Sequence, residues 1–451
     1  MNIIKKYLLL ALISLLHLPL FADNNSVNSI TLARIVFEEL SMPSAIFVGE
    51  ALPCDFRIYN GTLQKIKDYT VNFYLNDEVV STYSGENLAS GNGYNVSIII
   101  PIPETLKQGQ YEFTIGFTKV NGETLETVYK SSKRRTVSIV AEKLPRVGVM
   151  EEITARWCGW CPRGHVGMEK LQNKFKDSFI GIAIHGYKDP MYYPNYPIKG
   201  LTSYPSCVLN RTGHSMDPYY GTASGIVDNF EKVMKVPATV TVTLDATYNN
   251  DSSYIDAVAQ IKSLINAEDY SIVFVVTGDD MYHDSQIWKQ ANYYARYSSS
   301  SVPADLKQFA YGEKYGKNPF DYHYDNVVIA SSYSDGRINQ ATLDKLTENG
   351  TTEAHYSIKM PTETTLTKGI KYDHVYVNAL VINGNGEIAN AAKVHVTSNT
   401  TGIESLSKAS DAQEVVARYG IDGSRVEDSH KGLQLLKMND GTSEEGNGKI
   451  T

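Results

Sequence analysis

The stretch Glu152-Ile-Thr-Ala-Arg-Trp-Cys-Gly-Trp-Cys161 decides how the rest of this 451-residue chain is read. Upstream, Val147, Val149 and Ile153 make an apolar run that reads as a buried strand ending near Trp157. Two cysteines follow at Cys-x-x-Cys spacing. Pro162 then opens an amphipathic helix with Met168, Leu171 and Phe175 at helical intervals. A thiol at such a strand-to-helix turn lies near unpaired backbone N–H groups, which favour its thiolate form.

Further along, Phe179-Ile-Gly-Ile-Ala-Ile184 reads as a second buried strand and Ile226 to Met234 as another helix. Between them, Tyr187-Lys-Asp-Pro-Met-Tyr-Tyr-Pro-Asn-Tyr-Pro197 carries three prolines, which excludes a regular helix. Asn210-Arg-Thr-Gly213 reads as a hairpin turn after Ser206-Cys-Val-Leu209.

Trp157-Cys-Gly-Trp-Cys161, with Glu152 upstream and Ser203-Tyr-Pro-Ser206 some fifty residues on, resembles the redox motif of the thioredoxin superfamily. The longer string Glu151 to Gly164, with Ile180-Gly-Ile-Ala-Ile-His185, Asp189-Pro-Met191 and Tyr204-Pro-Ser206, is similar to the outer membrane protein 28-related family of Gram-negative envelope proteins. The resemblance implies a central thioredoxin-like α/β fold flanked by two β-sandwich, immunoglobulin-like domains. It also implies roles: Cys158 as nucleophile, Cys161 as resolving thiol, Glu152 as proton acceptor and Pro205 as the proline beside the dithiol. Trp157, Trp160 and Tyr204 would face the substrate, and Cys158–Cys161 would be the disulfide. No cofactor and no metal is expected.

The flanking sequence supports β-rich modules. Tyr69-Thr-Val-Asn-Phe-Tyr-Leu75, Tyr94-Asn-Val-Ser-Ile-Ile-Ile100 and Tyr111-Glu-Phe-Thr-Ile-Gly-Phe117 alternate at period two, and Asn121-Gly122 closes a hairpin. Strands at this spacing suggest an immunoglobulin-like sandwich. Ala238-Thr-Val-Thr-Val-Thr-Leu244, Tyr270-Ser-Ile-Val-Phe-Val-Val276 and Val375-Tyr-Val-Asn-Ala-Leu-Val-Ile382 read as strands of a second one. The expected organisation is a signal peptide over 1–22, a sandwich over 23–144, a thioredoxin-like domain over 145–236, a sandwich over 237–400, and a linker and C-terminal tail over 401–451, with residues 405–411 as the polar linker. The last part, from Glu414-Val-Val-Ala-Arg-Tyr-Gly-Ile-Asp-Gly423 onward, resembles a type-nine secretion sorting module.

Lys5 and Lys6, the apolar run Tyr7–Leu16 and Leu20-Phe-Ala22 have the pattern of a secretory signal. An exported protein is expected at the outer membrane or cell surface, with the periplasm as the alternative. The formal net charge of −8 and the absence of a basic block argue against nucleic acid as a partner. Expected partners are protein thiols or disulfides, an envelope redox protein, or surface components. In an oxidising compartment Cys158 and Cys161 pair by default, and Cys54 and Cys207 read as buried free thiols.

Thiol–disulfide exchange is therefore the leading functional expectation. A second reading is a non-catalytic surface binding or adhesion protein with a structural disulfide, since fold alone proves no activity. A third is metal capture by Cys158, Cys161 and His165, the last two being four residues apart on one helical face. Covalent haem attachment is excluded because Pro162 stands where a histidine is needed.

Overall fold

The computed structural model describes residues 34–131, 133–197, 200–201, 203–333, 341–362, 364–398, 415–420, 433–438 and 443–447. The expected signal segment and the polar linker 405–411 lie outside them. The chain divides into two compact units, Met1–Thr397 and Ser398–Thr451.

The first unit begins with nine strands: β1 (Ile35–Ser41), β2 (Ala45–Phe47), β3 (Leu52–Asn60), β4 (Ile66–Leu75), β5 (Glu78–Leu88), β6 (Gly93–Ile100), β7 (Gly109–Val120), β8 (Glu123–Lys130) and β9 (Arg135–Val140). They form two sheets, β1-β3-β6 and β2-β9-β7-β4-β5, with β8 paired to β7. Strand β3 alternates buried and exposed residues, as a strand with one wet face must. Phe37, Phe56 and Ile58 of one sheet meet Val71, Phe73, Phe113 and Phe117 of the other in a shared core. The hairpin turns use residues that tolerate positive φ: Asn76 and Asp77 at 46° and 69°, Asn121 and Gly122 at 52° and 79°. This part is the sandwich the alternation predicts.

The middle of the chain departs from expectation. It contains β10 (Gly148–Thr154), α1 (Pro162–Phe175), β11 (Phe179–His185), β12 (Ser206–Leu209), β13 (Thr212–Met216) and α2 (Ile226–Met234). After it come β14 (Val240–Tyr248), β15 (Tyr254–Ser263), β16 (Ser271–Gly278), β17 (Val327–Ser331), β18 (Ala341–Thr342), β19 (Thr351–Lys359), β20 (Val375–Ile382) and β21 (Ile388–His395). These do not sort into an α/β domain and a separate sandwich. A single nine-stranded sheet runs β13-β12-β10-β11-β17-β16-β20-β21, with β18 attached to β16. Its two halves join where β11 lies parallel to β17, and Ala183 N–H donates to Asn326 O at 2.8 Å.

The central thioredoxin-like α/β fold between two sandwiches is thus corrected. The chain is dominated by strands, and the boundary expected at 236/237 cuts through a continuous sheet. The reason lies in burial. Every residue of β10, β11, β16 and β17 is buried, so these are interior strands that need a neighbour on each edge. One core accordingly draws Val149, Ile153 and Ile182 from the first half and Val275, Leu380 and Ile382 from the second. On the opposite face of the nine-stranded sheet, β14-β15-β19 packs Val240, Ile255 and Ile261 against Ile272, Phe274 and Val377. Helices α1 and α2 pack Met168, Leu171, Ile226 and Phe230 on Met150, Phe179 and Leu209.

In the second unit, β22 (Val415–Gly420), β23 (Leu433–Met438) and β24 (Ser443–Asn447) make an antiparallel meander. Ser443–Asn447, polar as it is, pairs with β23. Among the described residues no helix is long and apolar enough to cross a membrane.

Candidate functional site

Strand β10 delivers the Cys-x-x-Cys turn at its C-terminal end. Cys158 N–H donates to Ala155 O at 3.0 Å and Cys161 N–H to Cys158 O at 3.1 Å, which winds the turn directly into α1. Pro162 occupies the first turn of the helix, where its missing N–H leaves no bond unmade. Cys158 and Cys161 form a disulfide with Cα atoms 5.3 Å apart. Cys161 is fully buried; Cys158 keeps 7% exposure.

Strand pairing brings the proline to the same place. Ile153 of β10 opposes Ser206 of β12, so Pro205, just before it, lies at the end of β10 that carries the turn. The Tyr204–Pro205 peptide is cis. Tyr204 packs against Ala155, Cys158 and Cys161, and Trp157 lies 4.8 Å from its ring centre to centre. Trp157 and Trp160 are both more than a third exposed. All seven residues assigned from the sequence therefore lie on or against one corner of the sheet.

The tandem acids show how a strand gives neighbours opposite environments. Glu151 accepts from Arg211 through both its oxygens, at 2.8 and 2.7 Å, and from Tyr196; Arg211 also donates to Tyr333 at 2.8 Å. Burial alone would raise its pKa, but the Arg211 charge and hydrogen bonds hold it below the usual carboxylate range. Glu152 points the other way and is wholly buried, and neither carboxylate oxygen has a hydrogen-bond partner. Its carboxyl sits under the first turn of α1 against Gly164, whose N–H in turn donates to Cys161 O at 2.8 Å. Burial, reinforced by Asp217 and only partly opposed by Arg163, pushes Glu152 well above the ordinary carboxyl pKa. Cys207 opposes it on β12; burial and the Glu152 charge push that thiol up as well.

The turn is held by residues to which the sequence assigned no role. Asp189 Oδ2 accepts from Arg156 N–H at 2.6 Å and Oδ1 from Met191 N–H at 2.9 Å, with His185 Nδ1 3.2 Å away. The long segment between β16 and β17 supplies Gln290, whose amide nitrogen donates to Cys158 O at 3.0 Å. Trp160, expected to face a substrate, makes edge contacts with Tyr293 and Tyr294 at 5.4 and 5.3 Å. Nothing in the run around Gln290 marks it. The usable hint was Gly159, a residue without a side chain, because a Cβ there would collide with the Tyr293 ring.

His165 does not join the sulfurs. Its ring stacks on Tyr322 at 4.7 Å and faces Gln290 Oε1 at 3.4 Å, and burial pushes its pKa down to about 4. Among the described residues no group of three His, Cys, Asp or Glu could hold a metal ion. The Cys158, Cys161, His165 ligand set is therefore not assembled. Two cavities lie elsewhere, one of about 930 Å³ along α1 and one of about 450 Å³ beside Glu151 and Arg211.

Comparison with known proteins places a family match on the N-terminal sandwich: residues 32–122 match the CARDB model. No curated protein matches the chain. Among solved structures, HBP35 of Porphyromonas gingivalis aligns with 68% of this chain and 99% of its own, at 15% identity and TM-score 0.39. The CARDB domain of the PF1109 protein from Pyrococcus furiosus covers 24% of this chain and 94% of its own, at 14% identity and TM-score 0.20. A domain of a putative cell surface protein from Methanosarcina acetivorans covers 24% and 92%, at 18% identity and TM-score 0.19. The class so defined is a β-dominant, multi-sheet protein whose N-terminal part matches the CARDB model. The thioredoxin-like and redox-centre description is corrected with the fold that implied it; what stands is a single disulfide, Cys158–Cys161, on a β-rich scaffold.

Proposed function

We propose that the chain is an envelope protein that exchanges thiols and disulfides with protein partners through Cys158 and Cys161. The proposal rests on local chemistry and not on a fold family. Its main support is Glu152: a fully buried, hydrogen-bond-free carboxyl, packed against Gly164 in the helical turn that follows Cys161, is costly unless its proton is used. An incoming partner thiolate forms a bond to Cys158 Sγ, the more exposed sulfur. The Cys158–Cys161 bond breaks and its electron pair leaves on Cys161 Sγ, which takes the proton held by Glu152. A second partner thiol, deprotonated, then attacks the mixed disulfide; it leaves as the partner's disulfide, and Cys158 departs as a thiolate. The partner dithiol is oxidised and the pair reduced, and the same steps reversed regenerate the protein's disulfide. Trp157 and Tyr204 flank the approach.

Location at the outer membrane, and membership of the outer membrane protein 28-related family, belong to the same proposal. They rest on the 151–164 string and the signal-like leader. The trapping variant Cys161→Ser tests the chemistry. It leaves Cys158 to attack a partner disulfide with nothing to release it, so a covalent partner should persist on non-reducing gels and vanish with dithiothreitol. No adduct from an envelope extract or with a model disulfide peptide would reject the exchange reading.

The low exposure of Cys158 favours one rival, a binding protein whose disulfide is only structural. In that case the pair resists reduction below about −300 mV and changing both thiols to alanine leaves ligand binding intact.

A further inference from the structure

Between β16 and β17 the chain leaves the sheet and returns by way of bridges pairing Met281 with Tyr324 and Gln290 with Phe320. Its segment Gln290–Tyr293 runs along the Cys-x-x-Cys turn as an extra rung. Ala291 N–H donates to Arg156 O at 2.6 Å and Tyr293 N–H to Gly159 O at 2.8 Å. The Gln290 amide nitrogen reaches Cys158 O at 3.0 Å and Ala155 O at 3.4 Å, while its oxygen faces His165 Nε2 at 3.4 Å. With His165 held neutral, an Nε2–H can donate to that oxygen, so the amide is used at both ends. Gln290 has no exposed surface. The segment is itself fixed, since Asn292 donates to Phe309 O at 2.7 Å and Tyr315 O at 2.8 Å. The Tyr293 ring lies where a side chain on Gly159 would be, and Trp160 abuts it.

Of the five carbonyls from Ala155 to Gly159, all but that of Trp157 thus accept from one remote segment. That is a way to hold a disulfide turn that local sequence cannot supply. We infer that Gln290 is a positioning residue for exchange at Cys158, and that Gln290–Tyr293 holds the turn in the shape that brings the two sulfurs together. The inference rests on the exchange reading above. Contacts made to the disulfide form stabilise it over the dithiol, so loosening them makes the pair easier to reduce. Because Tyr293 covers Gly159, partners reach Cys158 from the Trp157–Tyr204 wall.

The test is the equilibrium between Cys158–Cys161 and glutathione redox buffers, measured on the full chain by thiol alkylation and mass spectrometry. Gln290→Glu sets a carboxylate against the carbonyls of Ala155 and Cys158. Tyr293→Ala removes the ring without touching the Gln290 bonds, and serves if the first variant does not fold. Either change should raise the reduced-to-oxidised ratio at least tenfold at fixed buffer, about 30 mV for a two-electron couple. Gln290→Asn should fall between parent and Gln290→Glu. If the parent pair equilibrates and both variants shift by less than twofold, the positioning role is wrong while exchange stands. If the parent pair never equilibrates with glutathione, the exchange reading fails and this inference falls with it.

Discussion

Replacing Gly164 by alanine sets two effects of known size against each other. In a helix, Gly→Ala ordinarily stabilises by up to about 1 kcal/mol through backbone entropy. Here the added Cβ would lie 2.7 Å from Glu152 Cδ and 3.0 Å from Oε2, and closer still to Oε1. Carbon atoms pack at about 3.5–4.0 Å, so the carboxyl must move by most of an ångström. It has no solvent to move into, being wholly buried beneath the helix. Overpacking of this kind costs about 1–3 kcal/mol, and Gly164 stands in the first turn, where the helix-propensity gain is smaller than in the interior. The clash wins: Gly164→Ala should be less stable by about 1–2 kcal/mol. Urea denaturation with the disulfide intact measures it, and a double-mutant cycle assigns it. In a Glu152→Ala background the obstacle is gone, and Gly164→Ala should become neutral or stabilising. An equal penalty in both backgrounds, or a Gly164→Ala protein as stable as its parent, would refute the placement of Glu152 under this turn and with it the proton donor of the proposed reaction.

Three further outcomes follow from the burial of charge. Glu152 has a raised pKa in the folded state, so its protonated form supports stability fully below the unfolded value of 4.5, and that support is lost as pH rises through the folded pKa. Against Glu152→Gln, the parent should lose relative stability over that window at a limiting slope of roughly 1.4 kcal/mol per pH unit, read from paired denaturation curves; a flat difference contradicts the assignment. Glu151 behaves oppositely, its lowered pKa giving stability that is lost as pH falls through the folded value. Arg211→Met strands that carboxylate and should cost roughly 3–5 kcal/mol by thermal or chemical unfolding, with most of it recovered by adding Glu151→Gln. Cys54, whose thiol burial pushes up to about 12, and Cys207 should take no maleimide in the native protein and one each after denaturation; rapid native labelling would show the cores to be open.

Much of the site was legible because its parts are local. An apolar run, a tight cysteine pair and Pro162 specify a strand, a turn and a helix start, while Glu152 came from the motif it shares with a known family, since Glu151 beside it is buried as well. The N-terminal strands announce themselves by alternation, and Asn76-Asp77 and Asn121-Gly122 by the φ values they accept. Sheet continuation is a different kind of fact. The apolar run of β11 requires a neighbour on its far edge but carries nothing to say that the neighbour is β17, well over a hundred residues on. A domain boundary drawn from a family pattern at 236/237 therefore fell inside a hydrogen-bonded sheet. Gln290 was invisible for a related reason: a single polar residue in an irregular stretch has no periodicity, and its importance comes only from the carbonyls it meets.

The continuous sheet also explains why the corner can be so fully clamped. Strand β10 supplies the turn and β12 the proline, but the strands beyond β11 are what launch and receive the 279–326 segment that closes on it. Gln290 bridges to Phe320 through two backbone bonds of 2.9 and 3.0 Å, and Asn326, at the segment's far end, accepts from Ala183 of β11. The segment is thus anchored to β11, the neighbour of the strand that leads into Cys158. A fragment ending at the expected boundary would keep both cysteines, Glu152 and Pro205, yet would expose the apolar edge of β11, leave the carbonyls of Arg156 and Gly159 without the donors that hold them and leave that of Cys158 with Cys161 N–H but not Gln290. The shape of the turn is in this sense a property of both halves of the sheet, because donors to four of its carbonyls come from the segment that the second half launches and receives.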